Sequence, residues 1–135
     1  MKKKGFTLIE LLAVIVILAI IALIATPAVL NIIEQSRKSA AEASARNIVN
    51  AAKTQYAKNI MENKTISMMD LTDGTLKYSG EQAKKGKVYF DSIGNQYLKM
   101  YISGYCVERN YKGIVTSEKV LENECEIPNV APANE

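Results

Sequence analysis

Lys2-Lys3-Lys4-Gly5-Phe6-Thr7-Leu8-Ile9-Glu10 opens the chain, and an unbroken apolar run from Leu11 to Ala25 follows it. Counted from Phe6, the apolar segment has roughly 20 residues, enough to cross a bilayer core of ~30 Å as a helix. The lysines in front of it predict that this end stays in the cytoplasm and the remainder lies outside. Glu10 does not fit a plain anchor, because a carboxylate inside hydrocarbon is costly and marks a functional position. A cleaved secretory signal, with Ala22, Ala25 and Ala28 as small residues near the cut, is one ordinary alternative. An uncleaved anchor with Glu10 reaching toward headgroups is another. The run is at the long end for a secretory signal, and Glu10 interrupts its start.

Composition narrows the chemistry. At 135 residues there is room for one domain. Three of the 17 Lys and Arg residues sit in the leader, and the 14 that remain equal the 14 Asp and Glu. Past those three lysines the chain is formally neutral, which gives no footprint for a nucleic-acid partner. There is no histidine, so zinc sites and general-base catalysis that depend on it are absent. No phosphate-binding glycine loop or serine elbow occurs. The sequence therefore gives no catalytic residue, no metal ligand set and no cofactor.

The chain past the apolar run reads as one long helix and a sheet. Pro27 removes one helical hydrogen bond and crowds the preceding turn, so a kinked continuation is expected there. The competing possibility is a break, with Thr26 capping a second helix. Beyond it Ala41, Ala45, Ile48, Val49, Ala52, Tyr56 and Ile60 fall on one stripe, with Glu42, Arg46, Asn50 and Lys53 on another side. From Phe6 to Glu62 such a helix would be on the order of 85 Å long, which predicts a half that projects from the domain. Residues 63–86 are rich in turn pairs, with a short helical turn expected at Ser67–Leu71. Lys87–Asp91 and Gln96–Ile102 read as strands about a turn at Gly94-Asn95, with Tyr105–Arg109 and Ile114–Thr116 to follow. Gly104 is expected to mark a bulge. The tyrosines of these strands suit a half-exposed pleated surface, though an aromatic platform for sugar or DNA is the alternative.

The expected fold is α+β: a long N-terminal helix, membrane-spanning then amphipathic, on a C-terminal antiparallel sheet of three to four strands. Its divisions are a lysine leader segment at 1–5, a membrane half at 6–27, and an extracellular domain at 28–135. Within that domain the helix runs to about 62, the loop covers 63–86, the sheet 87–127 and a frayed tail 128–135. Cys106 and Cys125 both fall in the part expected outside, where an oxidising environment favours a disulfide. Two unpaired buried thiols are the other possibility.

Gly5-Phe6-Thr7-Leu8-Ile9-Glu10, behind a lysine leader and before an apolar helix, resembles the class III signal of type IV pilins. Pro27 also resembles a recurrent pilin proline. The resemblance covers about the first third of the chain. It implies cleavage between Gly5 and Phe6 by a prepilin peptidase, which also methylates the new Phe6 amine. Phe6, Glu10 and Pro27 are then the residues of assembly. The implied partners are other copies of the chain in a helical filament, the peptidase and methyltransferase, the pilus assembly machinery, and membrane lipid beforehand. The implied location is the cell membrane as a single span, N-terminus inside, and afterwards an extracellular pilus. A pseudopilin of a secretion or competence machine fits the same signal. A membrane-anchored binding module or enzyme with a look-alike N-terminus is the reading from another class.

Overall fold

The computed structural model describes residues 3–134. Met1 and Lys2 of the leader and Glu135 of the tail lie outside the described residues. The chain divides into two units, Met1–Ser36 and Arg37–Glu135, and one helix, α1, runs Leu8–Met61 through both. Pro27 lies inside it. Thr26 caps no second helix; its hydroxyl donates to the Ala22 carbonyl one turn back, at 2.6 Å.

In the first unit the helix's large apolar side chains, among them Leu11, Ile15, Leu18 and Ile24, are exposed. The β-branched residues here do not make a strand, because only a helix pairs its own backbone within one apolar segment. This is the one helix among the described residues long and apolar enough to cross a membrane.

In the second unit Ala41, Ala45, Ile48, Val49 and Ala52 are buried. The stripe then leaves its expected course. Ile60 is 50% exposed and Asn59 only 5%. A face with 3.6 residues per turn drifts, and the seventh residue after Ala52 lies closer to its line than the eighth. Asn59 is tolerated because its Oδ1 accepts from Gln55 Nε2 at 3.1 Å. Its carbonyl accepts the Lys64 amide at 2.8 Å, and the Asn63 amide reaches the Ile60 carbonyl at 3.0 Å. With Asn63 at φ 57°, these two bonds are a left-handed helix stop.

The sheet has five strands rather than three to four: β1 Met68–Asp70, β2 Lys85–Phe90, β3 Gln96–Ile102, β4 Tyr105–Arg109 and β5 Val115–Lys119. They lie side by side in chain order, every pair antiparallel. The added strand, β1, occupies the segment expected as a helical turn. It is held by non-local pairing, Met68 opposite Tyr89 and Asp70 opposite Lys87, which no local periodicity announces. Lys85-Gly86, expected as a turn, belongs to β2. Gly86 is needed there for closeness, because a Cβ would lie 2.5 Å from Met100 Cβ and 2.7 Å from Leu71 Cδ1. Gly104 is not a bulge. Ile102 pairs with Tyr105, so Ser103-Gly104 is a two-residue hairpin loop, with both φ positive (54° and 83°), as the right-handed twist of the strands favours.

One face of the sheet, carrying Val88, Phe90, Leu98, Met100, Ile102 and Val107, shares a core with Ala45, Ile48 and Val49. The Tyr56 ring stacks on Phe90 with centroids 4.4 Å apart. Ser117 on β5 donates to Glu42 Oε1 at 2.6 Å, which draws that carboxylate toward the sheet. On the other face, Lys87 stands opposite Lys99, with Asp70 and Glu108 as their outer neighbours. The two cations are thus flanked by acids, and Lys99 Nζ lies 3.5 Å from Glu108 Oε2.

The C-terminal segment is attached to this outer face. Cys106 and Cys125 form a disulfide, with Cα atoms 5.5 Å apart. Tyr101 donates to the Val120 carbonyl at 3.2 Å, Tyr89 to the Pro128 carbonyl, and Asn134 Nδ2 to Asp91 Oδ2 at 2.9 Å. The tail expected to fray is tied at both ends of its length.

Candidate processing and assembly site

Residues 3–7 have no regular structure, and the helix begins at Leu8. Thr7 sets that boundary. Its amide donates to Glu10 Oε2 at 2.8 Å, and the Glu10 amide donates to Thr7 Oγ1 at 3.3 Å. These reciprocal bonds form a capping box, which satisfies two of the amides a helix start leaves open. The Gly5–Phe6 bond therefore lies just outside the helix. Gly5 is exposed and Phe6 is 90% exposed.

A Cβ placed on Gly5 would meet nothing within 4 Å, and its φ is not in the left-handed region. Among the described residues nothing crowds a Cβ at position 5. A requirement for it would come from whatever approaches the backbone there.

Glu10 is exposed, four residues after Phe6 on a helix whose neighbouring apolar side chains are also exposed. Its carboxylate takes the Thr7 amide and retains lone pairs for further donors. The structure thus brings Phe6 and Glu10 into one short, uncovered segment. Pro27 lies about five helical turns further along, and the two cysteines belong to the other unit. Thr7 was missed as a functional residue, although Thr-x-x-Glu before an apolar run is itself a helix-start signature.

Two polar clusters of the second unit are tied by hydrogen bonds within it. Asp91 Oδ1 accepts the amides of Ile93 and Asn95 at 3.0 and 2.7 Å. Its loss of solvent pushes its pKa up, but hydrogen bonds from Asn95, Ile93 and Asn134 outweigh this and hold it below the ordinary carboxylate value. Tyr97 donates to Glu108 Oε1 at 2.9 Å; its burial, then this bond to a carboxylate, raises its pKa well above the usual phenol range. No group of three potential metal ligands occurs among the described residues.

Residues 1–26 match the family model of the prokaryotic N-terminal methylation motif. That motif is the class III signal of type IV pilins, and it supports a pilin-like or pseudopilin protein. No curated protein and no solved structure shows a significant match to the chain.

Proposed function

We propose that this chain is a structural subunit of a type IV pilus, made as a membrane-anchored precursor and polymerised after processing. The observation that carries the reading is the methylation motif at residues 1–26, with its Gly5–Phe6 bond in an exposed non-helical segment directly before a capped apolar helix. A prepilin peptidase on the cytoplasmic side cuts between Gly5 and Phe6 and methylates the Phe6 amine. The segment 6–27 holds the mature subunit in the bilayer and then becomes the packing surface of the filament core, with Pro27 in its last turns. Among the described residues nothing covers the exposed apolar side chains of the first unit, and neighbouring copies of the same helix supply a cover.

Glu10 is the registry device in this scheme. Beside lipid headgroups it stays solvated, with the Thr7 amide as an internal donor. Between packed helices that solvent is lost, and the Phe6 amine of a neighbouring subunit supplies a cationic partner. A misaligned subunit leaves a charge unpaired, which costs about 3–5 kcal/mol. The role is structural, not enzymatic, and the partners are copies of the chain, the peptidase and the assembly machinery.

Mass spectrometry of the mature N-terminus tests the reading. A chain beginning at methylated Phe6 is expected. A chain beginning near Ala28, as ordinary signal cleavage would leave, overturns it.

A further inference from the structure

Helix α1 and strand β3 run in opposite directions in the second unit. Arg37 and Ala40 share a recess with Ser103 and Gly104, whereas Tyr56, near the helix's other end, stacks on Phe90 and lies close to Gly94. The 91–95 and 110–114 loops therefore cap the end of this unit opposite to the one at which Arg37 enters it. The tail joins them through the Asn134–Asp91 bond.

A recess of about 330 Å³ opens at that end between the tail and β3–β4, within the size range of small-molecule sites. Its lining includes Tyr97, Tyr111, Glu108, Asn110, Lys112 and Asn134. The Tyr97 ring is buried, at 5% exposed, and backs the half-buried Tyr111 ring at 5.7 Å, tilted by 39°, so Tyr111 carries the aromatic surface of the recess. Glu108 brings no unbalanced charge, since one oxygen takes the Tyr97 hydroxyl and the other faces Lys99.

The remaining polar groups are donors and acceptors in mixture. Asn110 Oδ1 accepts the Ile114 amide at 2.9 Å, leaving its NH2 group to donate. Asn134 uses its NH2 on Asp91, leaving its Oδ1 to accept. The Tyr111 hydroxyl can do either and Lys112 can donate. We propose that this recess binds a neutral saccharide unit, the C–H face of the sugar on the Tyr111 ring and its hydroxyls on Asn110, Asn134 and Lys112. Hydroxyls both give and accept hydrogen bonds, which this lining requires. An aromatic ring takes the less polar face of such a ligand. A nucleic acid is disfavoured because phosphate binding calls for a cluster of cations, and Lys112 is the one cation among the lining residues described. This site goes beyond the filament reading and stands or fails independently of it, because binding is measured on the isolated chain.

The test uses full-length, disulfide-intact protein in detergent micelles, three saccharide probes (chitotriose, maltotriose and a galactose-terminated trisaccharide) and an oligothymidylate for comparison. Saturation-transfer NMR reads binding. Tyrosine emission gives a second readout, since the chain has no tryptophan. At least one trisaccharide is expected to bind at millimolar concentration or below, insensitive to salt. Tyr111→Ala should weaken it by about tenfold or more, Tyr111→Phe should retain it, and Asn134→Leu should weaken it without touching the rings. Thermal unfolding of each variant guards against mere loss of fold. Absence of binding by all three probes, equal binding by Tyr111→Ala, or tighter and salt-dependent binding of an oligothymidylate would overturn the proposal.

Discussion

Thr7 and Glu10 hold one another at the start of the helix, the Thr7 amide on the Glu10 carboxylate at 2.8 Å and the Glu10 amide on the Thr7 hydroxyl at 3.3 Å. The carboxylate therefore has a local role as a cap besides any role as a charge. Glutamine performs the first role and not the second. Glu10→Gln and Glu10→Val are both expected to keep cleavage at Gly5 and membrane insertion near normal, yet to block polymerisation. Glu10→Asp is expected to be partly defective, because the shorter side chain misses the amine. The measurement is the ratio of sheared filament protein to membrane-held mature subunit, with no wild-type copy present. Normal filament yield from Glu10→Gln would remove the charge from the assembly scheme.

At the scissile bond, Gly5→Glu is expected to leave the precursor uncut and membrane-bound. A Cβ there meets nothing within 4 Å among the described residues, and position 5 is exposed, so the far-ultraviolet circular dichroism and the thermal midpoint should not move. A loss of cleavage accompanied by a lower midpoint would mean that folding, and not access by the peptidase, had failed.

Gly86→Ala addresses the sheet. The new methyl group would lie 2.5 Å from Met100 Cβ on the neighbouring strand, and neither backbone can retreat without breaking the β2–β3 ladder. Overpacking of this kind costs about 1–3 kcal/mol, readable by chemical denaturation. Gly80→Ala is not an equivalent control, since Gly80 has φ 104° and would be strained for a different reason.

Removing the disulfide with Cys106→Ser and Cys125→Ser should cost about 3 kcal/mol in the chain-entropy treatment of a loop this long. The bridge spans 19 positions. Its loss should also loosen the segment that covers Tyr89 and Tyr101, so hydrogen exchange in residues 120–134 is expected to rise before the rest of the sheet is affected. Uniform change across β2–β4 would contradict a role confined to the tail.

Tyr97 predicts an alkaline effect. Its pKa is raised in the folded chain, by burial and then by its bond to Glu108, from the ordinary value of about 10. The folded state then keeps a proton that the unfolded state gives up. Stability is full below the unfolded value and falls as pH rises past it, continuing until the folded value is reached. Tyr97→Phe should flatten that decline in denaturation midpoints measured from neutral to strongly alkaline pH. An unchanged slope would assign the decline to other groups.

The sequence made the helix, its apolar half and its buried stripe readable because each has a local period. β2, β3 and β4 were readable for the same reason, Leu98, Met100 and Ile102 alternating with more polar neighbours. What escaped was non-local or marginal. Met68–Asp70 is a strand only because β2 lies beside it. Asn59 replaces Ile60 on the stripe through a fraction of a turn. Gly104 was visible as a special position, but bulge and hairpin both use glycine, and Ser103 beside it decides the matter by also taking positive φ. In the N-terminal segment, Gly5, Phe6 and Glu10 stood out by chemistry. Thr7 did not, because its contribution is a bond to a backbone amide and carries no charge.

Strand order in space equals strand order along the chain, from β1 to β5. Synthesis runs from the N-terminus, so each strand emerges next to one already made, with the helix that backs them available first. Growth of the sheet needs no later segment to be threaded between earlier ones. Cys125 emerges after every strand, and its bond to Cys106 can form only on a chain whose sheet-forming residues are all present. Oxidation thus works as a seal on a sheet whose strands have all been made, and a chain that stalls before Cys125 carries a Cys106 that this bond has not closed.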